Sequence, residues 1–340
     1  MDIFIKSFNR PYYLERCIRS VMQHVHGVYS ITLLDDGTRE VYLDKVKSMF
    51  PFVRIVRSPL ADVKSRAIEA HIMQNQKYAV DSIPSNFWRE SIRIGSEFFL
   101  LLEEDSWFTG HVDLKEVREI FTNPEVVTIK LSWSGNPGIV RGRRASLSTS
   151  FEEVKPSLPI ASPTLAIPFL RDVAKVRSIL TRAGLLNARI LTPYYALYTV
   201  CSAFFKRDYW VYLWDGASDK IQETRQLEHA VKWRRIRPNS LYGKSNEELI
   251  KTSFITSSVP TRHHPSFDMI RLNGHLSELW LKGELDISQN QPEDFSIDYL
   301  SNLLDRTNDP ACTSTAWCEW IKSFKKDHQT IGTQVEPKII

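Results

Sequence analysis

The chain has 340 residues, 42% hydrophobic and 25% charged, enough for one large core or two smaller ones. A net charge of +4 is too mild to indicate nucleic acid, although it suits an anionic ligand. No stretch approaches the roughly 20 apolar residues of a membrane span, and Met1-Asp2-Ile3-Phe4-Ile5 is no signal peptide, so a cytoplasmic protein is expected.

Ile3-Phe4-Ile5-Lys6-Ser7 reads as a strand and Phe8-Asn9-Arg10-Pro11 as the turn after it. Pro11 suits the first position of a helix carrying Leu14, Cys17, Ile18, Val21, Met22 and Val25 at helical spacing. Ile31–Leu34 is a second strand, closed by Asp35-Asp36-Gly37-Thr38, and Val53–Val56 a third. A helix is expected over 62–76, packing through Val63, Ala67, Ala70 and Ile72, and another over 87–94. Phe98-Phe99-Leu100-Leu101-Leu102 then runs without a polar break into Glu103-Glu104-Asp105, as a strand buried on both faces would. A helix over 113–121 and a strand over 126–131 complete an alternation that signifies a parallel sheet with crossover helices.

The second half is less regular. Arg141, Arg143 and Arg144 open a polar loop; 171–183 reads as a helix, the apolar run Tyr194–Phe205 as a strand or two, and 222–232 as a helix. Helices are expected over 298–304 and 316–324, with the last dozen residues frayed. Cys17 and Cys201 look like buried thiols, and Cys312 and Cys318 lack the partners of a zinc pattern, which fits a reducing compartment.

Three carboxylates at one strand end repel one another unless a cation joins them or water screens them. A hard divalent ion takes oxygen ligands, and in open α/β sheets ligands lie beyond the carboxyl ends of the strands. A solvated acidic turn is the plainer alternative.

Three motifs in order, Ser7-Phe8-Asn9-Arg10-Pro11, Leu33-Leu34-Asp35-Asp36-Gly37-Thr38 and Leu102-Glu103-Glu104-Asp105, resemble those of the GT-A glycosyltransferases, especially the large inverting family that makes bacterial polysaccharides. The resemblance covers residues 3–135 well and the rest loosely. It implies a GT-A-like, Rossmann-like α/β fold with a mostly parallel sheet and a helical C-terminal extension: a nucleotide-sugar half over 1–135, an acceptor half over 136–280 and the extension over 281–340. It implies that Ser7, Phe8, Asn9, Arg10, Asp35, Asp36, Arg66 and Glu104 surround the nucleotide, an aspartate accepting a uracil imide or ribose hydroxyl hydrogen. Mn²⁺ or Mg²⁺ would be held by Asp105, helped by Glu103 and by one of His263 and His264, with His264 the first choice. Glu228 would be the base that deprotonates the acceptor, with Glu223 and Asp215 as competitors. The implied donor is a nucleotide sugar, a UDP-sugar first, and the acceptor a hydroxyl of a glycan or lipid-linked glycan.

Arg141–Arg144 could close over the diphosphate, while Lys232, Arg234, Arg235 and Arg237 beside Trp233 either meet acidic lipid head groups or form a solvated face. The chain departs from the pattern at Glu103, where an Asp is usual, and in lacking the Glu-Asp pair at the base. Two alternatives therefore stand beside transfer. One is a nucleotidyltransferase, against which the turn after strand one has no glycine; the other is a non-catalytic binding protein on a transferase fold.

Overall fold

The computed structural model describes residues 1–80, 82–187, 189–216, 223–258 and 267–335. Strands β1 (Asp2–Ser7), β2 (Ser30–Asp35), β3 (Arg54–Arg57), β4 (Phe98–Glu103), β5 (Val126–Lys130), β6 (Gly142–Ser146), β7 (Phe151–Pro156), β8 (Ala203–Lys206) and β9 (Leu241–Ser245) form one sheet, ordered β3-β2-β1-β4-β8-β5-β9-β7-β6. Around it lie α1 (Pro11–His24), α2 (Glu40–Met49), α3 (Ala61–Gln74), α4 (Ser85–Arg93), α5 (Leu114–Phe121), α6 (Pro163–Leu170), α7 (Val176–Arg182), α8 (Arg207–Leu213), α9 (Glu223–Ile236), α10 (Met269–Lys282), α11 (Ile297–Asp305) and α12 (Ser314–Thr330). This is the expected α/β class: a mixed sheet with a GT-A-like, Rossmann-like parallel half, flanking helices and a helical C-terminal extension.

The four strands β3-β2-β1-β4 are parallel. The chain steps outward from β1 to β3, then returns to place β4 on the other side of β1. That reversal opens a crevice beyond the carboxyl ends of β1 and β4. The register sets Lys6 beside Glu103 and Ser7 beside Asp35.

The uninterrupted apolar strands are explained by burial on both faces. Ile3, Ile5, Leu100 and Leu102 join one core with Leu14, Ile18 and Val21 of α1. Phe4, Phe99 and Leu101 join the other with Trp210 of α8 and Leu227 of α9. The C-terminal extension belongs to the first core: Leu300 and Leu304 of α11 and Trp317 and Trp320 of α12 all enter it. Trp317 also donates its indole N–H to the Ile255 carbonyl (2.9 Å), so truncating it to alanine should cost about 3–5 kcal/mol.

Several expectations need correcting. On α3 the buried positions are Ala61, Lys64 and Ile68, while Val63 is exposed, so the helix is turned by one residue from the apolar phase. The run 194–205 supplies only the four-residue β8, preceded by a 3₁₀ turn over Thr192–Ala196. The helix expected over 171–183 is broken into a 3₁₀ turn, Val173–Lys175, and α7. Arg143 and Arg144 lie not on a loop at the crevice but on β6, the far edge strand, five strand spacings or roughly 24 Å from β4. Charged side chains there discourage edge pairing. The tail is docked as far as it is described: the Gln334 N–H donates to the Ser134 carbonyl (2.9 Å) and Val335 is buried.

Candidate functional site

The crevice is built from the turn after β1 and the acids after β4. Asn9 takes a left-handed backbone (φ 55°), which asparagine tolerates, and its N–H donates to Thr38 Oγ1 (3.0 Å). This turn aims Arg10 back under the strand ends. Arg10 Nε donates to Glu104 Oε1 (2.7 Å), and Nη1 donates to Asp105 Oδ2 (2.8 Å) and Thr256 Oγ1 (3.3 Å). The Phe8 N–H donates to the other Glu104 oxygen (2.6 Å). Glu104 is thus a buried brace between the two strand ends, with both oxygens engaged and none presented to a nucleotide.

Burial pushes the Glu104 carboxyl up to about 7, against the opposing pull of Arg10. Burial also works against the Arg10 charge, but Asp105 and Glu104 overcome it and raise its pKa. Beside this pair, Lys6 Nζ bonds Glu103 Oε1 (2.6 Å) and sits 4.8 Å from the Trp88 ring. Two protein cations therefore face three carboxylates. Lys6 was legible as a partner, being a charge inside an apolar strand that needs one when buried, but the spacing alone did not say where.

One oxygen is left over. Asp105 Oδ1 is buried and has no hydrogen-bond partner. Glu103 has a half-exposed side chain, with only one oxygen on Lys6. Among the described residues no group of three His, Cys, Asp or Glu stands together as a metal cage. Mg²⁺ is usually held by one or two carboxylates together with waters and substrate phosphates. Asp105 and Glu103 fit that kind of site, in which the ion's remaining ligands come from a diphosphate. His263 and His264 lie outside the described residues.

The second motif makes a buried turn. Asp35 is fully buried and spent on its own turn, accepting from the Thr38 N–H (3.1 Å), the Gly37 N–H (3.3 Å) and Arg57 Nε (3.3 Å). Burial raises its pKa to about 6 despite those bonds. It has no oxygen to offer a base or ribose, contrary to the expectation. Asp36 accepts from Ser58 Oγ (2.6 Å) and Lys64 Nζ (2.5 Å); burial raises its pKa, and Lys64 and Ser58 oppose that.

Lys64 Nζ also lies 5.5 Å from the Phe8 ring and donates to the Ser82 carbonyl. Gly37 (φ 142°) lets these groups meet, since a Cβ there would lie 2.7 Å from Lys64 Cβ and 3.2 Å from Phe8. The basic residue that meets this motif is Lys64. Arg66, two residues on, is exposed on another side of α3.

Of the three acids weighed as the base, Glu228 on α9 is buried and paired with Arg171 (2.8 Å). It lines an open cavity of about 370 Å³ with Arg171, Arg225, His229 and Lys232. Asp215 is paired with Arg89 (2.9 Å) on the surface. Glu223, at the start of α9, is exposed and accepts from the Tyr195 hydroxyl (2.9 Å). The neighbouring Tyr198 phenol has its pKa raised by burial, and the charges of Glu223 and Glu103 both add to the rise.

No protein-family model matches the chain, and no curated protein sequence matches it. Solved structures that it resembles include S. aureus TarS 1-349 (11% identity, TM-score 0.40, 98% of this chain and 75% of that one). The same protein in complex with UDP-GlcNAc gives 12% identity and a TM-score of 0.41 over 97% and 81%. A longer TarS structure is 11% identical with a TM-score of 0.39, and this chain covers 53% of it. At these values the likeness assigns no family.

Proposed function

We propose that the chain is a glycosyltransferase that takes its nucleotide-sugar donor at the β1–β4 crevice and passes the sugar to a hydroxyl of a glycan acceptor. The observation that carries this reading is the buried, unpartnered Asp105 Oδ1 at the strand-order reversal, beside the half-exposed Glu103. Phe8, half-buried on the turn after β1, offers a ring on which a flat base can stack. Asp105, with Glu103, would hold Mn²⁺ or Mg²⁺, and a bound ion supplies Lewis-acid stabilisation of the departing diphosphate. The Arg10–Glu104 brace keeps Asp105 in place.

Glu223 is the favoured base, because its carboxylate is exposed at the start of α9 and, among the described residues, accepts only from the Tyr195 hydroxyl, whereas Glu228 and Asp215 are each paired with an arginine. It takes the acceptor hydroxyl proton as the oxygen bonds to the anomeric carbon and the bond to the diphosphate breaks. Attack opposite the leaving group inverts the anomeric centre.

The test is release of free nucleotide from a panel of nucleotide sugars with Mn²⁺ or Mg²⁺. Glu223→Gln should lower turnover by about 10²–10⁴ with donor KM little changed, while Glu228→Gln should stay near wild type. No release from any donor would favour a binding module on this fold. Wild-type turnover in Glu223→Gln would remove it as the base.

A further inference from the structure

We propose that the segment from α6 to Leu185 is a docking surface for an anionic lipid bilayer, on which the protein lies without crossing. This goes beyond the transfer reading and does not depend on it.

Two observations coincide on this segment. Leu165 (64% exposed), Val173 (56%), Val176 (54%), Ile179 (57%) and Leu185 (72%) all project into solvent. They are five of the sixteen large exposed apolar side chains among the described residues, within 21 consecutive positions. Single exposed apolar residues are ordinary, but a concentration of them marks an interaction site.

The second observation is charge. Residues 163–185 hold four basic side chains and one acid. Arg171, Lys175 and Arg182 are exposed. Arg171 and Lys232 also line the open cavity of about 370 Å³ beneath α6. Apolar side chains interleaved with Lys and Arg on one short element complement an anionic membrane surface, with the apolar groups entering the interface and the cations meeting the head groups. No helix among the described residues is long and apolar enough to cross a membrane, so the contact is with one face of the bilayer.

The backbone points the same way. Asp172, Ala174 and Lys175 all hold left-handed conformations (φ 53°, 54° and 56°), unfavourable for residues with a Cβ. A helix continuous from Phe169 to Ala183 would remove that strain.

The experiment is vesicle flotation of the full chain, with phosphatidylcholine vesicles lacking or containing phosphatidylglycerol, together with hydrogen exchange over 171–186. Wild type should float only with the anionic vesicles, less so at high salt, and the segment's amides should become protected. Lys175→Gln with Arg182→Gln should weaken binding by roughly 25-fold, about fivefold for each charge. Val173→Ser with Val176→Ser should weaken it by tenfold or more, with an unchanged melting temperature showing that the fold is intact. Failure to float with anionic vesicles, or flotation of both variants like wild type, would overturn the proposal. So would a patch that instead pairs two copies, seen as dimer-to-monomer conversion in Val176→Ser.

Discussion

Removing Arg10 is the sharpest stability test of the site's architecture. Its guanidinium meets two carboxylates at 2.7 and 2.8 Å, and all three groups are buried. Arg10→Met leaves both acids without their cation, and breaking a buried pair from one side costs about 3–5 kcal/mol. In urea, with a slope of roughly 3 kcal/mol per M, the midpoint should fall by about 1 M or more. Adding Glu104→Gln should recover part of the loss, because the stranded charge disappears, so the two changes should be strongly non-additive. A midpoint within about 0.3 M of wild type, or simple additivity, would mean that water reaches these acids and that Arg10 is no brace.

Other consequences are open to measurement. Burial lowers the Lys130 pKa to about 7, and its ammonium donates to the Ala196 carbonyl. The unfolded chain keeps that proton up to roughly pH 10.4, so the wild type should gain stability as pH rises from about 7 toward that value, by at most about 1.4 kcal/mol per pH unit. In Lys130→Met, urea midpoints between pH 7 and 9 should lose that slope; an unchanged slope would show Lys130 to be charged in the fold. Gly37→Ala would set a Cβ 2.7 Å from that of Lys64 at a φ of 142°, so it should destabilise by about 1–3 kcal/mol; an unchanged urea midpoint would refute the close approach. Lys64→Met should strand the buried Asp36 charge and lower the urea midpoint, while Arg66→Met, on the exposed side of α3, should leave it unchanged.

The parallel half of the sheet was legible because its strands are buried on both faces, which leaves unbroken apolar runs such as Phe98–Leu102 ending at the crevice. The second half was not. Tyr194–Phe205 is apolar throughout, yet Tyr194 and Leu197 enter the core from irregular backbone, which periodicity does not distinguish from strand. The hairpin β6–β7 is charged because it is an edge, and so it read as a loop. In the site, residue types were visible but their use was not. Asp35 and Glu104 carry the expected charge and spend it on internal bonds. Lys64 was passed over for Arg66 because a lysine on a buried helical face breaks the apolar pattern that sets the phase, and its partner Asp36 is 28 positions away. The proposed base is the least legible element, since an acid on a helix has no local signature and only packing brings Glu223 to the Tyr195 hydroxyl.

The most direct test of the central claim is a thermal-shift comparison of wild type and Asp105→Asn with UDP, GDP, CDP and TDP, each with and without Mn²⁺. Binding to the folded state raises the melting temperature in proportion to ln(1 + [L]/Kd). The wild type should rise with one nucleotide, more with the metal present, and Asp105→Asn should lose the metal-dependent part. No rise with any nucleotide at millimolar concentration, or an equal metal-dependent rise in the variant, would contradict the assignment of the β1–β4 crevice as a donor site.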